Sequence, residues 1–197
     1  PSFVARLCGL RGEEGGLMLC FSHAGRELRV SHVTLHTSVR EALAQITGPR
    51  VMRTLRATES AIKALGIEKP RIAVSGVNPH AGEAGAFGRE ELDVIAPAIE
   101  QAKRAGMAVE GPFGADTLLQ RLQYDAYVVM LHDQGHVPAK MLAPNRVAAL
   151  TIGTPVLFSS VGHGSALDIA GQGTADASAM REAITRLVAH RRRSAAT

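Results

Sequence analysis

Ala126-Tyr127-Val128-Val129-Met130-Leu131-His132-Asp133-Gln134-Gly135-His136 is an apolar run that breaks off abruptly into histidine, carboxylate, amide and glycine. An apolar run of this length, too short for a helix, reads as a buried β-strand. Upstream of it, strand-like and helix-like segments alternate. Leu28 to Leu35 is strand-like, and Ser38-Val39-Arg40-Glu41 has the spacing of a capping box, followed by Val39, Ala42, Leu43 and Ile46 at helical intervals. Val51, Leu55, Ile62 and Leu65 form a second apolar stripe, interrupted by Thr58 and stopped at Gly66. Arg71 to Val77 is a strand running into the loop Asn78-Pro79-His80-Ala81-Gly82-Glu83. Leu92, Ile95, Ala96, Ile99 and Ala102 mark a helix ending at Gly106, with Pro97 as a kink inside it. Met107 to Glu110 reads as a strand and Thr117 to Leu122 as a short helix. Val147 to Ile152 and Val156 to Ser159 are the last strands, and Ala177 to His190 is a closing helix. The alternation predicts an α/β domain with no internal repeat and no clear boundary.

The 197 residues allow one sizeable domain, and 46% hydrophobic with 20% charged residues is an ordinary globular mixture. No apolar run is long enough to span a bilayer. Pro1-Ser2-Phe3-Val4-Ala5-Arg6 carries neither an initiator Met nor a signal-peptide pattern and reads as the middle of a longer chain. Cys8 and Cys20 read as reduced thiols of a cytoplasmic protein. A net charge of +4 invites a nucleic-acid partner, but the basic residues are scattered among Glu and Asp. The dense run Arg191-Arg192-Arg193 lies beside Ser194-Ala195-Ala196-Thr197 and reads as a solvated tail. Two Tyr, five Phe and no Trp leave little for base stacking. Neither nucleic acid nor membrane is an expected partner.

Three histidines share one address. His36 follows the strand-like Val30 to Leu35, His80 lies past Arg71 to Val77, and His132 follows Ala126 to Leu131. In α/β sheets, ligands gather outside the carboxyl ends of strands. Three imidazoles there could hold a divalent metal and leave positions open for substrate, or each could be a hydrogen-bonded loop residue. Asp133 could orient an imidazole or join the metal shell. Lys140 could clamp a carboxylate or phosphate, transfer a proton if burial lowered its pKa, or simply be a solvated surface lysine. In Gly162-His163-Gly164-Ser165-Ala166-Leu167-Asp168-Ile169-Ala170-Gly171-Gln172-Gly173, small residues let a ligand approach the backbone, unless the loop only caps the last helix. A carboxylate at a ribose site favours NAD over NADP. The segment is not a G-x-G-x-x-G fingerprint.

Asn78-Pro79-His80-Ala81-Gly82-Glu83, Gly111-Pro112-Phe113-Gly114-Ala115-Asp116-Thr117 and His132-Asp133-Gln134-Gly135 together resemble three successive signatures of the 4-hydroxythreonine-4-phosphate dehydrogenase family, in the same order. The resemblance runs from about Phe3 to the last helix. It implies an isocitrate/isopropylmalate dehydrogenase-like α/β fold, present without the family's N-terminal portion. This chain would then be the C-terminal portion of a two-domain dehydrogenase: a dimerisation and metal-binding region plus the end of the NAD-binding region. The resemblance further implies a homodimer with a shared active site and one divalent metal (Zn, Mg, Co or Mn) on His36, His80 and His132 from both subunits. Lys140 becomes the substrate lysine, Lys140 and Asp133 the catalytic pair, and His163, Gly164, Ala166, Asp168 and Ile169 the NAD contacts. The implied reaction is oxidation of a secondary alcohol of a hydroxy acid, followed by decarboxylation, as in pyridoxal phosphate biosynthesis.

Two departures qualify the substrate. Ala149 and Phe158 stand where the family carries a substrate-contacting Asn and Arg. The loss of a bidentate anion donor means that the charged group is held differently or that the substrate differs. His132-Asp133-Gln134-Gly135-His136-Val137-Pro138 is similar to paralogous branches acting on 4-phospho-D-threonate or erythronate, or on aromatic dihydrodiol dicarboxylates. A three-histidine zinc hydrolase and a truncated, inactive metal- or nucleotide-binding dimer are the competing readings. The stripe Val51, Leu55, Ile62 and Leu65 serves either as a self-complementary dimer face or as packing for the chain's own sheet. In the dimer reading, His132 reaches a metal held by His36 and His80 of the other subunit.

Overall fold

The computed structural model describes residues 2–194. Its strands are β1 (Gly16–His23), β2 (Arg26–His32), β3 (Arg71–Ser75), β4 (Ala108–Phe113), β5 (Ala126–Val129), β6 (Ala148–Ile152) and β7 (Phe158–Val161). Its α-helices are α1 (Ser2–Leu7), α2 (Val39–Gln45), α3 (Gly48–Ala64), α4 (Ala96–Arg104), α5 (His132–Leu142) and α6 (Ser178–Ser194). The strands form one sheet in the order β4-β3-β5-β2-β1-β6-β7. β4, β3, β5 and β2 pair in parallel, whereas β2-β1, β1-β6 and β6-β7 pair antiparallel.

Side chains alternate along the strands, so the sheet carries a core on each face. Met18, Cys20, Ile72, Val74, Val128 and Leu150 pack with Val51, Leu55 and Ile62 of α3 and Ile99 of α4. Leu17, Leu19, Phe21, Ala73, Tyr127 and Val129 face the other way, toward Ala139 of α5 and Leu118. The central run Ala126–Val129 is buried throughout, as its apolar composition demands. Burial explains why the Cys20 thiol is pushed up to about 12, which makes it inert. Cys8 and Cys20 are both free.

The capping box forms: the Ser38 hydroxyl accepts from the Glu41 amide, and the Glu41 carboxylate accepts from the Ser38 amide. The stripe on α3 belongs to the chain's own core, because Val51, Leu55, Thr58 and Ile62 are fully covered by the sheet. It therefore offers no self-complementary dimer face. Thr58 fits there because its hydroxyl donates to the Thr54 carbonyl one turn back. Val39 and Leu43 of α2 are exposed.

Several boundaries differ from the sequence expectation. β2 ends at His32 rather than Leu35 and is the second arm of a hairpin whose first arm, β1, carried no expectation. The helix predicted from Leu92 opens as a π-helical turn, Glu91–Ile95, before α4; this widened turn accommodates Pro97, which lacks an N–H. The segment around Thr117 is a 3-10 turn, Leu118–Gln120, and β7 starts two residues later than expected. The expected solvated tail falls outside the described residues from 195 onward, as do the side chains from 189; the α6 backbone is helical to Ser194. Among the described residues, no helix is long and apolar enough to cross a membrane.

Candidate active site

The junction of β5 and α5 builds the site. His132 is the first residue of α5. The Gln134 side-chain oxygen accepts from the Met130 and Leu131 amides at 3.0 Å each, and its Nε2 donates to the Gly76 carbonyl at 3.0 Å. One amide thus caps the helix and ties the end of β5 to the end of β3. Gly135 has no room for a side chain: a Cβ would lie 2.3 Å from His32 Nε2.

Parallel pairing carries His36 to the same place. Beyond β2, the Val33 and Thr34 amides still donate to the Val129 and Met130 carbonyls, so the chains following β2 and β5 emerge side by side. The His36 and His132 ring centroids are 5.5 Å apart. His132 Nδ1 is 2.7 Å from Asp133 Oδ1, which fixes the ring and leaves Nε2 available. That contact from His132 holds the Asp133 carboxyl below its ordinary range. His136 stacks on His132 at 3.7 Å, nearly parallel, and its Nδ1 lies 3.2 Å from Nε2 of the buried His32. Burial, then the neighbouring His136, pushes His32 down to about 3. Burial, then His132, pushes His136 down to about 4. Both rings are neutral at physiological pH. Sequence reasoning assigned no role to His32, which lies within the strand-like segment Leu28 to Leu35 among both polar and apolar residues.

His36, His132, His136 and Lys140 line a cleft of about 380 Å³ that continues to Ala149, Thr151, Phe158, Ser160, His163 and Gly164. Ala149 lies on β6 and Phe158 on the adjacent β7, and both expected substrate positions line the same cleft as the lysine. Lys140 is exposed. Ala166 takes a left-handed conformation (φ 48°) ahead of the 3-10 turn Leu167–Ile169. Asp168 is exposed there rather than buried, and neither it nor Ile169 lines this cleft.

His80 stands apart. It opens a left-handed turn in which His80, Ala81, Gly82, Glu83 and Ala84 all have φ between 41° and 78°. L-residues resist this conformation at about 1–2 kcal/mol each, so the turn needs an anchor. The anchor is Glu91, buried beneath it. Its Oε1 accepts from the Val77 and Asn78 amides at 2.7 and 2.8 Å, and its Oε2 from Asn78 Nδ2 at 2.9 Å. Burial pushes the Glu91 carboxyl up, but these hydrogen bonds outweigh it and hold the pKa below the ordinary value. The exposed His80 ring neighbours Phe87, at 6.3 Å. Among the described residues, no three His, Cys, Asp or Glu side chains converge to hold a metal. The histidine left outside the cleft is therefore His80. His132, expected to serve the other subunit's His36, lies beside its own.

The fold and cleft define a mixed-sheet α/β chain in which His36 and His132 follow two adjacent parallel strands and share a cleft with His136 and Lys140 of α5. The family described as "Pyridoxal phosphate biosynthetic protein PdxA" matches residues 3–187, and the chain belongs to it. It is 48% identical over 187 residues to the 1,2-dihydroxy-3,5-cyclohexadiene-1,4-dicarboxylate dehydrogenase of Comamonas sp, covering 95% of this chain and 58% of that one. It is 45% identical to the D-threonate 4-phosphate dehydrogenase of Cupriavidus necator, covering 80% of this chain and 49% of the relative. Among solved structures, 4-hydroxythreonine-4-phosphate dehydrogenase from Klebsiella pneumoniae superposes with a TM-score of 0.83 at 36% identity, covering 95% of this chain and 57% of that one. The chain thus spans about half the length of the relatives it matches.

Proposed function

We propose that this chain forms the metal- and substrate-binding part of an NAD-dependent dehydrogenase that oxidises a secondary alcohol of a hydroxy acid, the keto acid then losing CO2. The observation that carries this reading is the convergence of His36, His132, Lys140 and the His163-Gly164 segment on one cleft. Two imidazoles, one held by Asp133 with Nε2 left available, suit a divalent ion but fall one short of the three that a catalytic site commonly offers. A second copy supplies the third in this account: His80 of the partner subunit, held out on its strained turn. A dimer with a composite site follows. A zinc hydrolase would leave the His163-Gly164 end of the cleft without a role.

When bound, NAD would accept the hydride, and the divalent ion would polarise the alcohol and then the ketone oxygen. The chain's own groups supply the rest. The Lys140 ammonium holds a substrate carboxylate, and Asp133 Oδ1 fixes His132 through its Nδ1. The β6-β7 wall shields the reacting carbon from water. Asp168 accepts from the adenosine ribose and favours NAD over NADP.

Phe158 and Ala149 select among the family's substrates. With Leu17, Leu19 and Val161 they give the cleft a largely apolar wall, broken by Thr151 and Ser160. Such a wall suits a flat ring better than a phosphorylated aliphatic chain, and favours a cyclic dihydrodiol dicarboxylate, as in the name of the Comamonas relative. The test is NADH formation with divalent metal and a panel containing this dihydrodiol, 4-phospho-D-threonate and 4-hydroxythreonine 4-phosphate. The dihydrodiol should give the highest kcat/KM, and a higher value for either phosphate ester refutes the substrate assignment.

A further inference from the structure

Two rows of side chains running across the sheet line the cleft. Strand register sets Leu17, Thr151 and Phe158 in one row on β1, β6 and β7, and Leu19, Ala149 and Ser160 in the next. Leu17, Leu19 and Ala149 belong to the apolar core of that face. Thr151 sits among them at 3% exposure, yet among the described residues its hydroxyl has no hydrogen-bond partner. The other buried threonines do: Thr34 donates to the Met130 carbonyl, Thr54 to Arg50 and Thr58 to Thr54. Nor is the Thr151 oxygen sealed inside the protein, as the unpaired hydroxyls of Ser31, Ser75 and Ser159 are. It opens on the cleft. His36 and His132 follow β2 and β5, and β6 lies two strands beyond β2, across β1. At about 4.8 Å per strand, Thr151 stands roughly 10 Å across the sheet from β2. A ring whose reacting carbon lies at the histidines therefore extends over β1 toward Thr151.

Resting on the substrate reading above, we propose that Thr151 is a specificity-determining residue whose hydroxyl donates to the second substrate carboxylate, across the ring from the one that Lys140 holds. Phe158 stands directly opposite Thr151 in the β6-β7 register, and no arginine lines the cleft. A bidentate grip on a phosphate is therefore missing at this end, and one neutral O–H in an apolar surface takes a carboxylate oxygen instead. A ligand that fills the cleft without an acceptor there strips water from the hydroxyl and leaves it unpaired. That is how a buried donor rejects an analogue lacking its partner.

Calorimetric titration of the metal- and NAD-loaded protein tests this without turnover. The probes are terephthalate, which carries two opposed carboxylates on a flat ring, and benzoate, which carries one. Thr151→Val keeps the branched shape and removes the hydroxyl. It should weaken terephthalate binding roughly tenfold and leave benzoate binding within about twofold, while Thr151→Ser should keep most of the terephthalate affinity. Because the hydroxyl pairs with nothing in the chain, the urea midpoint of the valine variant should not fall. Equal losses for both ligands, an unchanged terephthalate affinity, a serine variant as weak as the valine one, or a lower urea midpoint overturns the assignment alone. Failure of terephthalate to bind the wild type overturns the substrate reading, and this assignment with it. Binding with the expected pattern but no NADH from the dihydrodiol refutes the reaction and leaves the Thr151 contact standing.

Discussion

Replacing Glu91 by Gln probes the support beneath His80 without changing its size. The carboxylate accepts three hydrogen bonds, two backbone amides on one oxygen and the Asn78 side chain on the other, all within 2.9 Å. A Gln oxygen can keep the two amides, but its NH2 then faces the Asn78 NH2 donor to donor. One charge-assisted bond, about 1.5–3 kcal/mol, is lost, and two are reduced to neutral strength. The expected destabilisation is about 2–4 kcal/mol, and it should fall first on the left-handed turn, whose four non-glycine residues with positive φ favour release. Urea denaturation gives the global loss, and hydrogen exchange at the Val77 and Asn78 amides gives the local one. The Glu91 pKa is lowered in the folded chain, so its stabilisation is present above the ordinary carboxylate pKa and lost as pH falls through the folded value. As pH falls below the ordinary carboxylate value toward the lowered folded one, the variant and wild type should therefore converge. A loss under 0.5 kcal/mol at neutral pH, about the scatter of an ordinary surface substitution, with both amides still protected, would refute the anchor.

Gly135→Ala places a methyl against the buried His32 and should cost about 1–3 kcal/mol, measured as a shift in urea midpoint; a neutral effect would mean that His32 is free to move. The metal-free chain should lose stability as pH falls below about 6.5, because His32 is held neutral when folded and takes up a proton when unfolded. His32→Leu should flatten that slope by up to about 1.4 kcal/mol per pH unit, and an unchanged slope in urea titrations would count against it. Asp168→Asn should narrow the preference for NAD over NADP severalfold in cofactor titrations, and a wild type that binds NADP as tightly as NAD contradicts the ribose role.

The sequence made the interior easier to read than the site. β5 was legible because four consecutive apolar residues with no polar face can only be buried, and α2 because its capping box is local. β1 escaped notice since its hairpin turns through Ala24-Gly25, with Ala24 at φ 48°, and not through the Asn-Gly or Asp-Gly pairs that announce such turns. The strand-end histidines were visible, but spacing says nothing of which strands pair. The β2-β5 pairing joins His36 to His132, and only the tertiary fold supplies that. The left-handed turn at His80 was hidden for the opposite reason. Its residues include Ala and Glu, which avoid that conformation, and the carboxylate that enforces it lies at Glu91, well along the chain.

The central claim is a metal held by His36 and His132 of one chain with His80 of the partner subunit. It is tested most directly by metal analysis of mixed dimers. A His80→Ala chain is combined with a chain carrying His36→Ala and His132→Ala, after dissociation and with exchange demonstrated. Each parent homodimer should bind metal weakly, while the mixed dimer should regain one tightly bound ion in the single site that has all three imidazoles. Mixed dimers that form and bind no more metal than their parents would contradict the account.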